Sequence, residues 1–158
     1  MSQRYKMFIE DIPDDSKVFV DTNILLYDIS GHRAYGESCK RFFERIKRGT
    51  VKGITFLIVL NELLHKLVLG EIAEEHGLRL SQVIDFIKVE GMSNLSILQI
   101  TPQNFTLARK LMKEYFLLSN DALHLAVMKG NNIIDLASND SDFERIDWVT
   151  LYKPSKKQ

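Results

Sequence analysis

Short apolar runs alternate with helix-like segments along most of this sequence, and a chain patterned in that way has few folds open to it. VFV at 18–20 leads into a predicted helix from Thr22 to Ile29, and after GHRAYG another runs from about Glu37 to Arg48. In that second helix Phe42, Phe43 and Ile46 interleave with Arg41, Arg45 and Arg48, the pattern of an amphipathic surface helix. VKGIT predicts a strand, followed by a long helix from Phe56 to Leu69. Residues 71–91 read as helical with a break near Gly77, and LSILQI at 95–100 reads as a strand. Thr101-Pro102 signals the start of a helix reaching Tyr115. Ser119 or Asn120 is expected to cap the helix DALHLAVMKG, which ends near Gly130. NIIDLAS and WVTLY supply the last strands. This alternation predicts an α/β fold, a three-layer α/β/α domain with a mostly parallel central sheet.

At 158 residues the chain has the length of one domain. The expected organisation is an N-terminal extension over 1–16, a domain over 17–152 and a basic tail over 153–158, with both ends flexible. Lys plus Arg and Asp plus Glu both number 21, so there is no global basic field, although local patches can still bind nucleic acid. The single Cys39 excludes an intrachain disulfide; within the helical ESCKRFFERIKRG it reads as a buried structural thiol. The stretch MSQRYKMFIEDIPDD is unlike a secretory signal. The longest apolar run, FLIVL, falls far short of the ~20 residues of a membrane span. A cytoplasmic protein with no membrane association is expected.

Four carboxylates stand out against that frame. Ligands of open parallel sheets sit beyond the carboxyl ends of the strands. Asp21 directly follows VFV, and Asp140 follows NIIDLAS after Asn139 alone. Asp121 lies in the first turn of the helix feeding that last strand, so its helix start is expected to face away unless the helix begins part-way along the sheet. Glu62 interrupts the apolar FLIVLNELLHKL. Each has a local explanation. Asp21 could cap the helix at Thr22, Glu62 could pair with Lys66, Asp121 could favour its helix dipole, and Asp140 could be a turn residue in SNDSD.

The set is harder to explain than its members. Two unit charges 4 Å apart repel by about 4 kcal/mol at an effective dielectric of 20. Several ionised carboxylates in one crevice therefore call for protons or a hard divalent cation, and Mg²⁺ or Mn²⁺ suits oxygen ligands. Phosphodiester hydrolysis is the chemistry such a site supports. The sequence has no phosphate-binding glycine loop, no zinc-type Cys/His spacing and no nucleophile elbow.

VFVDTNILLYDI, LNELLHKL, NDALHLAVMKG and LASNDSDFERI resemble, in that order, the four acidic motifs of PIN domains, including their VapC-like toxin branch. In the fourth, Ser138 takes the place of a threonine. The resemblance covers Val18 to Tyr152 and implies a metal-dependent endoribonuclease acting on single-stranded RNA, with Mg²⁺ or Mn²⁺ as cofactor. Carried over residue by residue, it gives Asp21, Asp121 and Asp140 as metal ligands and Glu62 as a ligand or a group orienting water. Asp142 becomes an auxiliary acid, and Asn23 and Ser138 become groups that hold the carboxylates in position. It also implies a homodimer, with the apolar helices between Phe56 and Ile87 as interface, and a small antitoxin protein as partner.

His65 and His124 each lie three residues after an acid and are expected to be hydrogen-bonded packing residues. Arg41, Arg45 and Arg48, with Lys47 and Lys52, could track an RNA backbone or form a solvated face. Tyr5, Tyr27, Tyr35 and Phe8 could stack on bases or simply pack. Three alternatives stay open at this point: an RNA-processing nuclease without antitoxin, a non-catalytic PIN-like binding module, and a phosphatase of the haloacid dehalogenase type. The last resembles a pattern with a second carboxylate two residues after the first, where this chain has Asn23.

Overall fold

The computed structural model describes residues 6–68 and 95–158, and the helical expectation for 71–91 lies outside the described residues. Six strands, β1 (Met7–Phe8), β2 (Lys17–Val20), β3 (Lys52–Phe56), β4 (Leu95–Leu98), β5 (Asp135–Ala137) and β6 (Thr150–Lys153), form one sheet. Their order is β1-β6-β5-β2-β3-β4, and every neighbouring pair is parallel. Five described helices accompany it: α1 (Thr22–Ile29), α2 (Gly36–Lys47), α3 (Leu57–Val68), α4 (Pro102–Tyr115) and α5 (Ser119–Gly130).

The central strand shows why the apolar runs dictate this arrangement. Val18, Phe19 and Val20 of β2 are all fully buried, as a strand covered on both faces must be. Val18 lies beside Gly53 of β3 on one side and Asp135 of β5 on the other. Gly53 is required there: a Cβ would meet Leu95 Cδ2 at 2.6 Å and Ile46 Cδ1 at 2.8 Å. From β2 the chain steps to β3 and β4 on one side, then returns to β5 on the other. The carboxyl ends of β2 and β5 therefore flank a topological switch point, where such sheets open a ligand crevice. Right-handed crossovers place α1 to α3 on one face and α4 and α5 on the other. The packing of α1 against α2 and α3, and of α4 against α5, agrees.

Local signals hold at most element ends. Thr101 Oγ1 accepts from the Asn104 N–H at 3.3 Å while Asn104 Oδ1 accepts from the Thr101 N–H at 2.7 Å, a reciprocal cap with Pro102 in the first turn. The start of α5 differs from expectation. Leu118 occupies its N-cap without a side-chain bond, and Asn120 is used elsewhere.

The two ends depart further from the sequence reading. Met7 and Phe8 pair with Tyr152 and Lys153, and Ile9 and Ile12 are buried, so this part of the extension completes the sheet and covers an otherwise open edge. Arg45 fastens it by donating to the carbonyls of Ile9 and Ile12 at 3.4 and 2.6 Å and to Asp14 Oδ1 at 2.9 Å. Glu10 Oε1 accepts from Ser38 Oγ, Arg41 Nη2 and Ser155 Oγ. The tail is held too, through Ser155 N–H to Ser38 Oγ at 3.0 Å and Lys157 N–H to the Ala34 carbonyl at 2.8 Å. Arg41 and Arg45 thus serve as clasps for the N-terminal segment, a use of their guanidinium groups that competes with the expected contact to RNA, whereas Arg48 is exposed. Cys39 is buried as expected, and burial pushes its thiol up to about 12.

Candidate active site

Asp21 sits where β2 ends and α1 begins. Its N–H still donates to the Ala137 carbonyl of β5 at 3.1 Å, extending the strand pairing by one residue. Its carboxylate then turns to local donors. Oδ1 accepts from the Thr22 N–H at 2.7 Å, which is the capping role open to it from sequence. Oδ2 accepts from Ser138 Oγ at 2.6 Å and Asn23 Nδ2 at 3.1 Å. Asp21 is 5% exposed, and these bonds explain how a carboxylate is tolerated there.

Ser138 is the joint of the site. Fully buried after β5, it donates to Asp21 and accepts from Asn23 Nδ2 at 3.2 Å and from the Asp140 N–H at 3.1 Å. Asn23 Oδ1 accepts from the Asn139 N–H at 3.0 Å, so both predicted supporting residues tie the loop after β5 to the start of α1. Asp140 Oδ1 in turn accepts from the Asp142 N–H at 2.8 Å, opening a 3₁₀ turn over Ser141–Arg145.

Asp121, Asp140 and Asp142 each offer a carboxylate oxygen within 4.8 Å of the other two, the one such acidic triad among the described residues. The expectation that the start of α5 faces away from the crevice does not hold. A helix that packs back along the strand it feeds ends at that strand's amino end, so its own start lies over the carboxyl end, beside Asp140. The triad also differs in membership from the set implied by resemblance. Asp142 takes the third place, because the 3₁₀ turn folds it back onto Asp140, while both oxygens of Asp21 are engaged by protein donors. Glu62 is brought in on α3: Oε2 accepts from Thr22 Oγ1 at 2.7 Å and Oε1 from Asn120 Nδ2. No ion pair joins it to Lys66 among the described residues.

The electrostatics follow from this crowding. Asp121 is pushed up to about 6 from an ordinary 3.8, first by burial and then by the charges of Asp140, Asp21 and Asp142, with His124 opposing. Asp21 is therefore close enough to act on the triad although it stands outside it. Unit charges at such separations repel by about 3–4 kcal/mol at an effective dielectric of 20. Three carboxylate donors with a fourth acid alongside fit a hard divalent cation such as Mg²⁺ or Mn²⁺, which binds oxygen ligands and keeps some of its waters.

Sequence reasoning overlooked Thr22 and Asn120, the two donors that orient Glu62. Their signal was present, since each is the immediate neighbour of a site aspartate. It also expected His65 and His124 to be hydrogen-bonded packing residues. His65 is exposed. His124 is 2% exposed and packed among Phe19, Phe56 and Phe143, yet neither ring nitrogen has a hydrogen-bond partner among the described residues. Its Nδ1 lies 3.8 Å from Asp21 Oδ1, which makes it an electrostatic neighbour of the site.

Acidic side chains gathered at the switch point of a parallel sheet define an α/β protein with a carboxylate-lined crevice. The chain belongs to the PIN domain family, whose profile matches residues 18–149. Ribonuclease VapC2 of Methanocaldococcus jannaschii is 27% identical over 145 residues, spanning 87% of this chain and 94% of that relative. A toxin-antitoxin complex from Klebsiella pneumoniae superimposes with a TM-score of 0.61 at 22% identity, covering 84% of this chain and 95% of that one. Mycobacterium tuberculosis VapC20, a sarcin-ricin loop cleaving toxin, does so with a TM-score of 0.64 at 19% identity, over 84% and 96%. At those identities the structural likeness speaks for the fold. With the family match and the VapC2 relationship, it bears out the resemblance to VapC-like PIN domains.

Proposed function

We propose that this protein is a metal-dependent endoribonuclease of the toxin type that hydrolyses phosphodiester bonds of single-stranded RNA. The observation that carries the reading is the Asp121–Asp140–Asp142 triad, held by Ser138 at the sheet's switch point with Asp21 and Glu62 beside it. The name of the VapC2 relative, a ribonuclease, supports the same activity.

The triad would hold Mg²⁺ or Mn²⁺, which when bound lowers the pKa of a water and stabilises the departing oxygen of a phosphodiester. The chain's own residues supply position and proton handling. Ser138 and Asn23 fix Asp21 and the loop carrying Asp140, so the carboxylates meet a substrate without reorganising. Thr22 and Asn120 orient Glu62, and each of its oxygens keeps a lone pair with which to accept a proton from an attacking water.

The reading extends to partners. A neighbouring fold that is a toxin-antitoxin complex supports a small antitoxin that silences this chain. Exposed Leu57 and Leu64 on α3 provide apolar surface for a homodimer. The deciding experiment is cleavage of single-stranded RNA with Mg²⁺ or Mn²⁺, with EDTA, and with Asp121→Asn. Metal-dependent cleavage lost in the variant supports the proposal. Equal cleavage by both proteins places the activity elsewhere, and RNA binding without cleavage by the wild type makes the chain a binding module.

A further inference from the structure

Three rings meet where the end of α1 passes into the turn before α2, beside the loop that carries Asp140. Tyr27 lies 4.5 Å from His32 and 5.1 Å from Tyr35, centroid to centroid, and His32 stacks on Tyr35 at 5.2 Å with 19° between planes. Tyr27 Oη accepts from Asn139 Nδ2 at 3.1 Å, so the cluster is joined to the residue immediately before Asp140. His32 is exposed, Tyr27 and Tyr35 are half-exposed, and Arg33 is exposed on the same turn.

The exposed ring cluster is held in a fixed arrangement. Nδ1 of His32 accepts from the Ala34 and Tyr35 N–H groups at 3.2 and 3.3 Å, which fixes the ring's orientation. The His32 N–H donates to the Tyr27 carbonyl at 2.9 Å and the Gly36 N–H to the His32 carbonyl at 2.7 Å. Gly31 takes a left-handed φ of 59°, and a Cβ on Gly36 would meet the Gly31 carbonyl carbon at 2.8 Å, so the turn is closed without slack. The C-terminal tail adds an outer tie through Lys157 to Ala34. A surface aromatic whose rotamer is already set loses little entropy when a flat ligand covers it.

We propose that Tyr27, His32 and Tyr35 form a stacking platform for a nucleobase of the RNA strand whose backbone enters the carboxylate crevice, with Arg33 facing its phosphate. The inference rests on the ribonuclease reading and names how that site takes its substrate. Bases of single-stranded RNA stack on aromatic and histidine rings, and a nearby arginine tracks the backbone. The platform also offsets a difficulty of the site itself, whose acids repel a polyanion until a cation is bound.

The test compares binding of a short fluorescein-labelled oligoadenylate with that of an abasic ribose-phosphate chain of equal length, followed by anisotropy in EDTA so that no cleavage occurs. The full-length wild type is expected to bind the oligoadenylate about tenfold more tightly, the factor expected of one base–aromatic stack. His32→Ala is expected to lose that preference and bind both chains alike, and Tyr35→Phe, which keeps the ring and the turn, to retain it. A wild type that cleaves RNA with Mn²⁺ but does not distinguish the two chains overturns the platform alone, as does a His32→Ala variant that keeps the preference. A wild type that neither binds nor cleaves RNA overturns the platform together with the ribonuclease reading. The wild-type comparison does not depend on whether a variant folds.

Discussion

Glu10, on the N-terminal segment, and Asp121, at the start of α5, are both carboxylates drawn partly out of water, and the fold treats them oppositely. Burial acts to raise each of them. Around Glu10 it is outweighed by hydrogen bonds from Ser38, Ser155, the residue's own N–H and Arg41, so the group ends below its ordinary 4.5. Around Asp121 burial is reinforced by three further acids and only partly opposed by His124, and the group is pushed up to about 6. One acid is satisfied by donors and holds two chain ends together. The other is surrounded by acceptors, a state that a protein sustains only where a proton or a cation completes it.

The largest expected effect would break that contrast at its functional end. Asp121→Asn is expected to lower the initial rate of RNA cleavage by more than about 100-fold, beyond the 10–100-fold typical of a group that only supports a metal ligand. In EDTA at neutral pH the same variant is expected to melt higher than wild type, because it removes an ion held at a cost. Glu10→Gln is the mirror case, with unchanged cleavage and a lower melting temperature.

Ser138→Ala comes next, since it leaves every carboxylate in place but removes the hydroxyl that donates to Asp21 Oδ2 and accepts from the Asp140 N–H. Mn²⁺ affinity, measured by isothermal titration calorimetry, is expected to fall by about 10–100-fold. An unchanged affinity would show that the triad needs no such support.

A smaller effect sharpens the Glu10 side. Glu10→Gln is expected to cost roughly 1 kcal/mol in urea denaturation, the scale of a partly exposed charged hydrogen-bond cluster.

The pH dependence sets the two acids against each other, because they carry opposite signs. Asp121 has a raised folded-state pKa, so its contribution to stability is full below its ordinary 3.8 and is lost as pH rises through about 6. Glu10 has a lowered one, so its contribution is present above 4.5 and is lost as pH falls through the folded value. Melting curves of Asp121→Asn and Glu10→Gln against wild type should therefore diverge in opposite directions across the acid range. Stabilisation by Mn²⁺ should weaken as pH falls through about 6, where protons compete for Asp121.

Much of this was legible beforehand, for reasons tied to particular residues. VFV is buried throughout, and NIIDLAS contributes buried Leu136 and Ala137 to the strand beside it, so the acids that follow them emerge at the sheet's carboxyl edge. Asn23 and Ser138 lie within two residues of those acids, and the structure joins all of them by hydrogen bonds. For Arg41 and Arg45 an amphipathic face does not reveal what covers it; here a segment some thirty residues earlier in the chain binds both. The direction of α5 was misjudged. Strand and helix were each read correctly, but their relative orientation depends on the crossover between them.

Periodicity, apolar runs and the place of Asp21 and Asp140 at strand ends were written into the sequence, because they express burial and backbone geometry over a few neighbouring residues. Which acids converge was decided only in three dimensions. Asp121 meets Asp140 and Asp142, Asp21 stands aside on its own donors, and Glu10 is satisfied by donors at the far edge. The physical reason is that a carboxylate's charge state and usefulness depend on groups within a few ångströms, and for most of these residues such groups come from distant parts of the chain.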